Sequence, residues 1–187
     1  MRLFIALDLP AELREAIGRA TAQLRNEAPG ARWSKPEALH VTLKFLGETS
    51  TDRVPEIERA LQAVGAAESI SLKFRGVGFF PNEERPRVMF CNVEAPKSLH
   101  DLALQVEKAL EAIGFEREAR PYIPHLTLAR LNSARNVEKL IRAAAPLTSY
   151  DFGATRESEF HLFESVLLPS GSRYRKLASF PLAKDSS

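Results

Sequence analysis

The chain has 187 residues, of which 44% are hydrophobic and 27% charged, the make-up of an ordinary soluble globular protein with enough apolar mass for a core. Its formal net charge of +2 argues against a strongly electrostatic, non-specific binder of long nucleic acid. A small anion or an RNA end stays compatible, because a few basic groups in one cleft suffice.

Cys91 is the single cysteine, so no intrachain disulfide can form. It lies in the apolar run 88–93 and reads as a buried strand residue in a reducing compartment. The opening Arg2-Leu3-Phe4-Ile5-Ala6-Leu7-Asp8 is too short for a signal-peptide apolar region. No apolar run approaches the roughly 20 residues that span a bilayer. The cytoplasm is the expected compartment, with no membrane partner.

In chain order, residues 2–8 predict a strand closed by Asp8 and Pro10. A helix is expected over 11–25, with Leu13, Ala16, Ile17, Ala20 and Leu24 on one face at helical spacing. A loop through Trp33-Ser34-Lys35-Pro36 leads into a strand over 39–46, ended by Gly47. Ser50, Thr51 and Asp52 offer caps for a second helix, with Val54, Ile57, Leu61 and Val64 as its stripe. Strands at 70–79 and 87–93, with Pro81 and Asn82 in the turn, read as a hairpin. A third helix over 98–113 carries Leu99, Leu102, Ala103, Val106, Leu110 and Ile113. A strand over 124–131 follows, then a short helix capped by Asn136. Strands at 157–168 and 173–180, joined by Pro169-Ser170-Gly171, close the chain.

Two of these strands carry the same pattern. Leu39-His40-Val41-Thr42-Leu43 and Pro124-His125-Leu126-Thr127-Leu128 are both His-x-Thr sets in an alternating apolar frame. A chain of this composition holds on the order of 0.15 such matches by chance, so a pair in one frame is unexpected. Strand side chains alternate, which puts His40 and Thr42 on one face, about 6–7 Å apart, with Val41 and Leu43 on the other. His125 and Thr127 repeat the arrangement. The copies lie nearly half the chain apart, too far for a solenoid repeat. That spacing predicts an α+β fold of two pseudo-symmetric lobes over residues 1–187. Mainly antiparallel sheets would face a central cleft, with helices outside, as a single bilobal domain.

Facing each other across that cleft, two imidazoles suit acid–base work, because one ring can be neutral while the other is protonated. The threonine hydroxyls can donate to anionic oxygens where charge gathers in a phosphoryl reaction. A His-only zinc site fails on ligand count, so neither metal nor cofactor is expected. His100, on the polar side of a helix, and His161, between Phe160 and Phe163, read as structural or solvated.

The runs Trp33-Ser34-Lys35-Pro36-Glu37-Ala38-Leu39-His40-Val41-Thr42-Leu43-Lys44-Phe45-Leu46-Gly47-Glu48 and Arg120-Pro121-Tyr122-Ile123-Pro124-His125-Leu126-Thr127-Leu128-Ala129-Arg130 resemble the RNA 2′,3′-cyclic phosphodiesterases. That family, first called 2′-5′ RNA ligases, belongs to the 2H phosphoesterase superfamily, and the resemblance covers essentially the whole chain. It implies metal-independent hydrolysis of a 2′,3′-cyclic phosphate to a 2′-phosphomonoester, with 2′-5′ ligation as the reverse reaction. It implies that His40 is the acid protonating the departing 3′ oxygen and His125 the base activating water. Thr42 and Thr127 would hold the phosphate, Phe45 would stack on the nucleobase, and Arg130 would contact the phosphate.

The partners implied are RNA with 2′,3′-cyclic phosphate ends or cyclic nucleotides, and a monomer is expected. Strand parity opposes the roles of Phe45 and Arg130, since an odd offset from the histidine points to the buried face. A strand end or twist near Gly47 and Asn132 would re-aim them. Lys44 shares parity with His40 and Thr42, so it either adds charge to the cleft or is solvated. Two other readings stand beside the leading one, apart from that of a plain interaction domain. The first is a superfamily relative acting on another cyclic phosphate, such as that of ADP-ribose, or on oligouridine tails. The second is a protein that captures RNA ends without chemistry.

Overall fold

A computed structural model describes residues 1–65, 69–131, 137–168 and 171–182. In chain order the elements are β1 (Arg2–Leu7), α1 (Ala11–Ala20), α2 (Leu24–Glu27), β2 (Arg32–Trp33), β3 (Val41–Glu48), α3 (Val54–Gln62), β4 (Ile70–Phe80) and β5 (Val88–Glu94). They continue with α4 (Lys97–Glu111), β6 (His125–Arg130), α5 (Val137–Ala144), β7 (Asp151–Glu157), β8 (Glu159–Leu168) and β9 (Gly171–Pro181). The expected Asn136 cap, the Pro169-Ser170 turn and the twist near Asn132 lie outside the described residues.

The strands form two antiparallel sheets, ordered β3-β1-β8-β9 and β2-β6-β5-β4-β7. The fold is α+β as expected, but the sheets are not successive halves of the chain. β8 and β9 return from the C-terminal end to pair beside β1, while β2 crosses to the edge of β6.

One apolar cluster lies under both sheets. It takes Leu3, Ile5 and Leu7 from β1, Leu72 and Phe74 from β4, Ile57 and Leu61 from α3, and Leu102 and Val106 from α4. Each fully buried side chain of this size contributes roughly 1.5–3 kcal/mol. The helical stripes expected for α3 and α4 are the faces that are buried.

Three elements differ from expectation, the first being β2, a two-residue strand paired with β6 where a loop was expected. The helix over 11–25 breaks after Ala20, where the buried Thr21 hydroxyl donates to the Ile17 carbonyl at 2.8 Å and the backbone tightens. β7 has only Phe152 as a buried apolar residue, so no hydrophobic alternation marks it. It is an edge strand held by its ladder to β4. Among the described residues no helix is long and apolar enough to cross a membrane.

Candidate active site

His40 stands just ahead of β3 and His125 opens β6, and β3 and β6 contact each other. Each Nδ1 lies 2.8 Å from the carbonyl oxygen two residues back, Ala38 for His40 and Ile123 for His125. A carbonyl only accepts, so Nδ1 carries the proton in both neutral rings and Nε2 is left as the atom that exchanges one. The same residue offset gives the same tautomer twice.

Aromatic side chains back both rings. His40 lies 4.6 Å from Phe4, 5.0 Å from Tyr174 and 6.4 Å from Phe163, centroid to centroid. His125 lies 5.2 Å from Phe80 and 6.0 Å from Phe90. Burial pushes the His40 pKa down to about 4. The Ala38 carbonyl and Asp8 carboxylate oppose that shift, and His125 adds to it. His40 is therefore neutral near pH 7 in the unliganded protein. It lines a cavity of about 190 Å³ with Asp8, Arg14, Tyr174 and Lys176. A larger depression of about 530 Å³, between Lys73, Glu94 and Thr155, includes neither histidine.

A β-bulge follows each threonine. On β3, Thr42 opposes Ala6 and Lys44 opposes Ile5, so Leu43 is unmatched, and a second bulge falls at Leu46. On β6, Thr127 opposes Phe90 and Ala129 opposes Met89, so Leu128 is unmatched. An extra residue reverses the alternation beyond it. Phe45 is consequently 60% exposed and Arg130 is exposed, both returned to the face of the threonines. The expected re-aiming occurs within the strands rather than at their ends.

Lys44 is the residue that simple parity misplaced. The bulge at Leu43 turns it inward, where it is 6% exposed, ion-paired with Glu107 and donating to the Glu116 carbonyl at 2.7 Å. It is neither solvated nor part of the cleft.

The two motifs are also bridged to each other. Ser34, on the chain leading to His40, donates its hydroxyl to the Thr127 carbonyl at 2.9 Å and its N–H to the Leu128 carbonyl at 2.8 Å. Tyr122, on the chain leading to His125, donates its hydroxyl to the Thr42 carbonyl at 3.1 Å. Each lead-in thus satisfies a carbonyl at the other motif's bulge. Sequence reasoning missed Ser34, Tyr122 and the aromatic backing of Phe4, Phe163 and Tyr174. The one available signal was Phe4 and Ala6 alternating with Leu3 and Ile5, which marks a strand apolar on both faces.

The remaining histidines stay outside the pair. His161 is 2% exposed, with Nδ1 2.9 Å from the Ser179 hydroxyl. His100 is exposed on α4, its ring 5.7 Å from Tyr122. Cys91 is fully buried, which pushes its thiol up to about 12. Among the described residues no group of three or more His, Cys, Asp or Glu is placed to hold a metal ion.

The family model described as LigT like Phosphoesterase matches the chain twice, over residues 7–90 and 91–174, one match for each His-x-Thr strand. The chain belongs to the LigT-like phosphoesterases. A relative named RNA 2′,3′-cyclic phosphodiesterase, from Methanothermobacter thermautotrophicus, is 33% identical over 183 residues, covering 97% of this chain and 99% of that protein. A crystal structure of a Thermus thermophilus protein is similar with a TM-score of 0.78 and 34% identity, over 99% of this chain and 100% of the other. E. coli LigT complexed with 3′-AMP is similar with a TM-score of 0.80 and 26% identity, over 98% of each chain. As a LigT-like phosphoesterase, this chain reaches its pseudo-symmetry by interleaving: each matched half supplies strands to both sheets.

Proposed function

We propose that this protein is an RNA 2′,3′-cyclic phosphodiesterase that opens a 2′,3′-cyclic phosphate to a 2′-phosphomonoester. The observation that carries the reading is the pair of histidines, each with Nδ1 tied to a backbone carbonyl and Nε2 left for proton exchange. His125 takes a proton from water as the water oxygen attacks phosphorus. The P–O3′ bond breaks, and His40 gives its proton to the departing 3′ oxygen, leaving a 3′-hydroxyl. Thr42, Thr127 and Arg130 bind the non-bridging oxygens, where the transition state concentrates charge. Phe45, exposed beside Phe4 with ring centroids 6.1 Å apart, offers its face to the terminal base.

His40 is neutral above about pH 4 when the site is empty, so it carries the proton it donates only once the phosphate anion lies against it. The reverse step, attack by an RNA 5′-hydroxyl on the cyclic phosphate, uses the same groups and forms a 2′-5′ linkage. Both histidines come from one chain, which supports a monomer acting alone. The apolar core shared by the two sheets supports reading residues 1–187 as one bilobal domain, and the buried, reduced Cys91 suits the cytoplasm.

The deciding experiment is incubation of a cyclic-phosphate RNA with EDTA present and identification of the product. A 2′-phosphate formed at undiminished rate is expected. A 3′-phosphate, or loss of activity in EDTA, would overturn the bond assignment or the metal-free mechanism respectively. Roles within the pair are read with a substrate carrying sulfur in place of the 3′ oxygen, since a thiolate departs without protonation. That substrate is expected to restore turnover to His40→Ala and not to His125→Ala, and the opposite pattern reverses the roles.

A further inference from the structure

Arg130 has an arginine neighbour that the reaction at the two histidines does not use. Arg32 of β2 lies directly opposite Arg130 of β6 in the strand register. Paired residues share a face, and the next pair points the other way: Ala129 is fully buried, and Trp33 donates its indole N–H to the Ala28 carbonyl at 3.2 Å. Arg32 therefore stands on the cleft side beside Arg130, and both are exposed. Like charges directly opposite each other on a sheet repel.

Among the described residues neither guanidinium has a carboxylate within ion-pair distance, whereas Arg2 of β1 stands opposite Glu48 in the register. Arg14, Arg19, Arg53, Arg120 and Arg175 are paired, so an unpaired arginine is common in this chain and the register of Arg32 against Arg130 is what sets these two apart. Two unpaired guanidinium groups therefore stand side by side at the edge of one sheet, in a chain of net charge only +2.

Such a pair suits two phosphates of one strand better than a single one. A guanidinium meets a phosphate with two parallel N–H donors, so each arginine serves its own anion. Arg130, after the bulge that follows Thr127, belongs to the reacting phosphate. Arg32 stands one strand further out, on an edge strand open to solvent. We propose that Arg32 forms a second anion subsite that binds the phosphodiester preceding the cyclic end, and so favours an RNA end over a cyclic mononucleotide. This inference rests on the phosphodiesterase reading and adds a subsite to it.

The test compares wild type, Arg32→Gln and Arg32→Lys on a 2′,3′-cyclic mononucleotide and on an oligoribonucleotide ending in the same cyclic nucleotide. For Arg32→Gln, kcat/KM on the oligonucleotide is expected to fall about 10-fold more than on the mononucleotide, mainly through KM. The slope of log kcat/KM against log salt on the oligonucleotide should shrink by about 0.7, the value of one phosphate contact on a single strand. Arg32→Lys keeps the charge and should keep most of the slope. Equal losses on the two substrates, or no loss on either, overturn the subsite. Equilibrium binding of the two 2′-phosphorylated products by the same proteins gives a readout without turnover. If wild type turns over neither substrate, the phosphodiesterase reading fails, and the subsite still stands or falls on whether Arg32→Gln weakens oligonucleotide binding more than mononucleotide binding.

Discussion

At the residue scale, the His40 ring packs against Phe4 and Tyr174, and burial lowers its pKa to about 4, which bears on stability. An unfolded chain binds a proton on this ring near 6.5, whereas the folded protein resists until about 4. Between those values the unfolded state holds more protons, so the contribution is complete above about pH 6.5 and is lost as the pH falls toward 4. The gap corresponds to about 3 kcal/mol, at roughly 1.36 kcal/mol for each pH unit. His161, lowered by burial, acts in the same direction. Denaturant midpoints at pH 7 and pH 4.5 check this. His40→Gln is expected to lose less stability than wild type over that interval, and an equal loss would mean that His40 is not buried as a neutral ring. In turnover assays His40→Ala and His125→Ala should each lose about 10²–10⁴-fold, the usual contribution of a positioned acid or base. A variant of either that keeps near-full rate on the cyclic-phosphate RNA removes that histidine from the pair.

At the element scale the bulges decide which side chains reach the cleft, and different partners hold them. The β3 bulge is held by the buried Lys44–Glu107 pair and by the Tyr122 hydroxyl on the Thr42 carbonyl. Lys44→Ala leaves a nearly buried carboxylate without its counter-charge, and a loss of about 3 kcal/mol is expected. A Lys44→Met/Glu107→Leu double variant should recover much of that loss, because it removes both charges. If the double variant were as unstable as the single one, the cost would lie in packing and not in the unpaired charge. Tyr122→Phe removes one hydroxyl bond and keeps the ring, so thermal unfolding should show a loss of about 1 kcal/mol. A variant as stable as wild type would show that the bridge between the motifs is negligible.

At the scale of the molecule the two matched halves cannot be separated as folding units. β1 and β3 share their sheet with β8 and β9, and the edge strand β2 belongs to the sheet that contains β6. A fragment of residues 1–90 would leave β1 paired with β3 alone and β2 with no partner strand, and would strip cover from Leu3, Ile5 and Leu7. Such a fragment is expected to show no cooperative unfolding transition by circular dichroism, and a sharp transition would show that the interleaving is dispensable. The same interleaving brings each histidine's lead-in against the other motif, so the cleft is set by chain crossing as well as by sheet packing.

Alternation of apolar and polar residues placed the two His-x-Thr strands, and helical periodicity placed the buried faces of α3 and α4, because side-chain burial imposes its period on sequence directly. The histidines and threonines were legible for that reason. The placement of Arg32 beside Arg130 and the inward turn of Lys44 were not. They depend on which residue of one strand faces which residue of another, and on the unmatched residues in the ladders, Leu43 and Leu46 on β3 and Leu128 on β6. A bulge changes no composition and no local propensity; it exists only as a mismatch between two strands. Hydrophobic pattern therefore determined which strands carry the two His-x-Thr sets, and strand pairing decided what stands beside them.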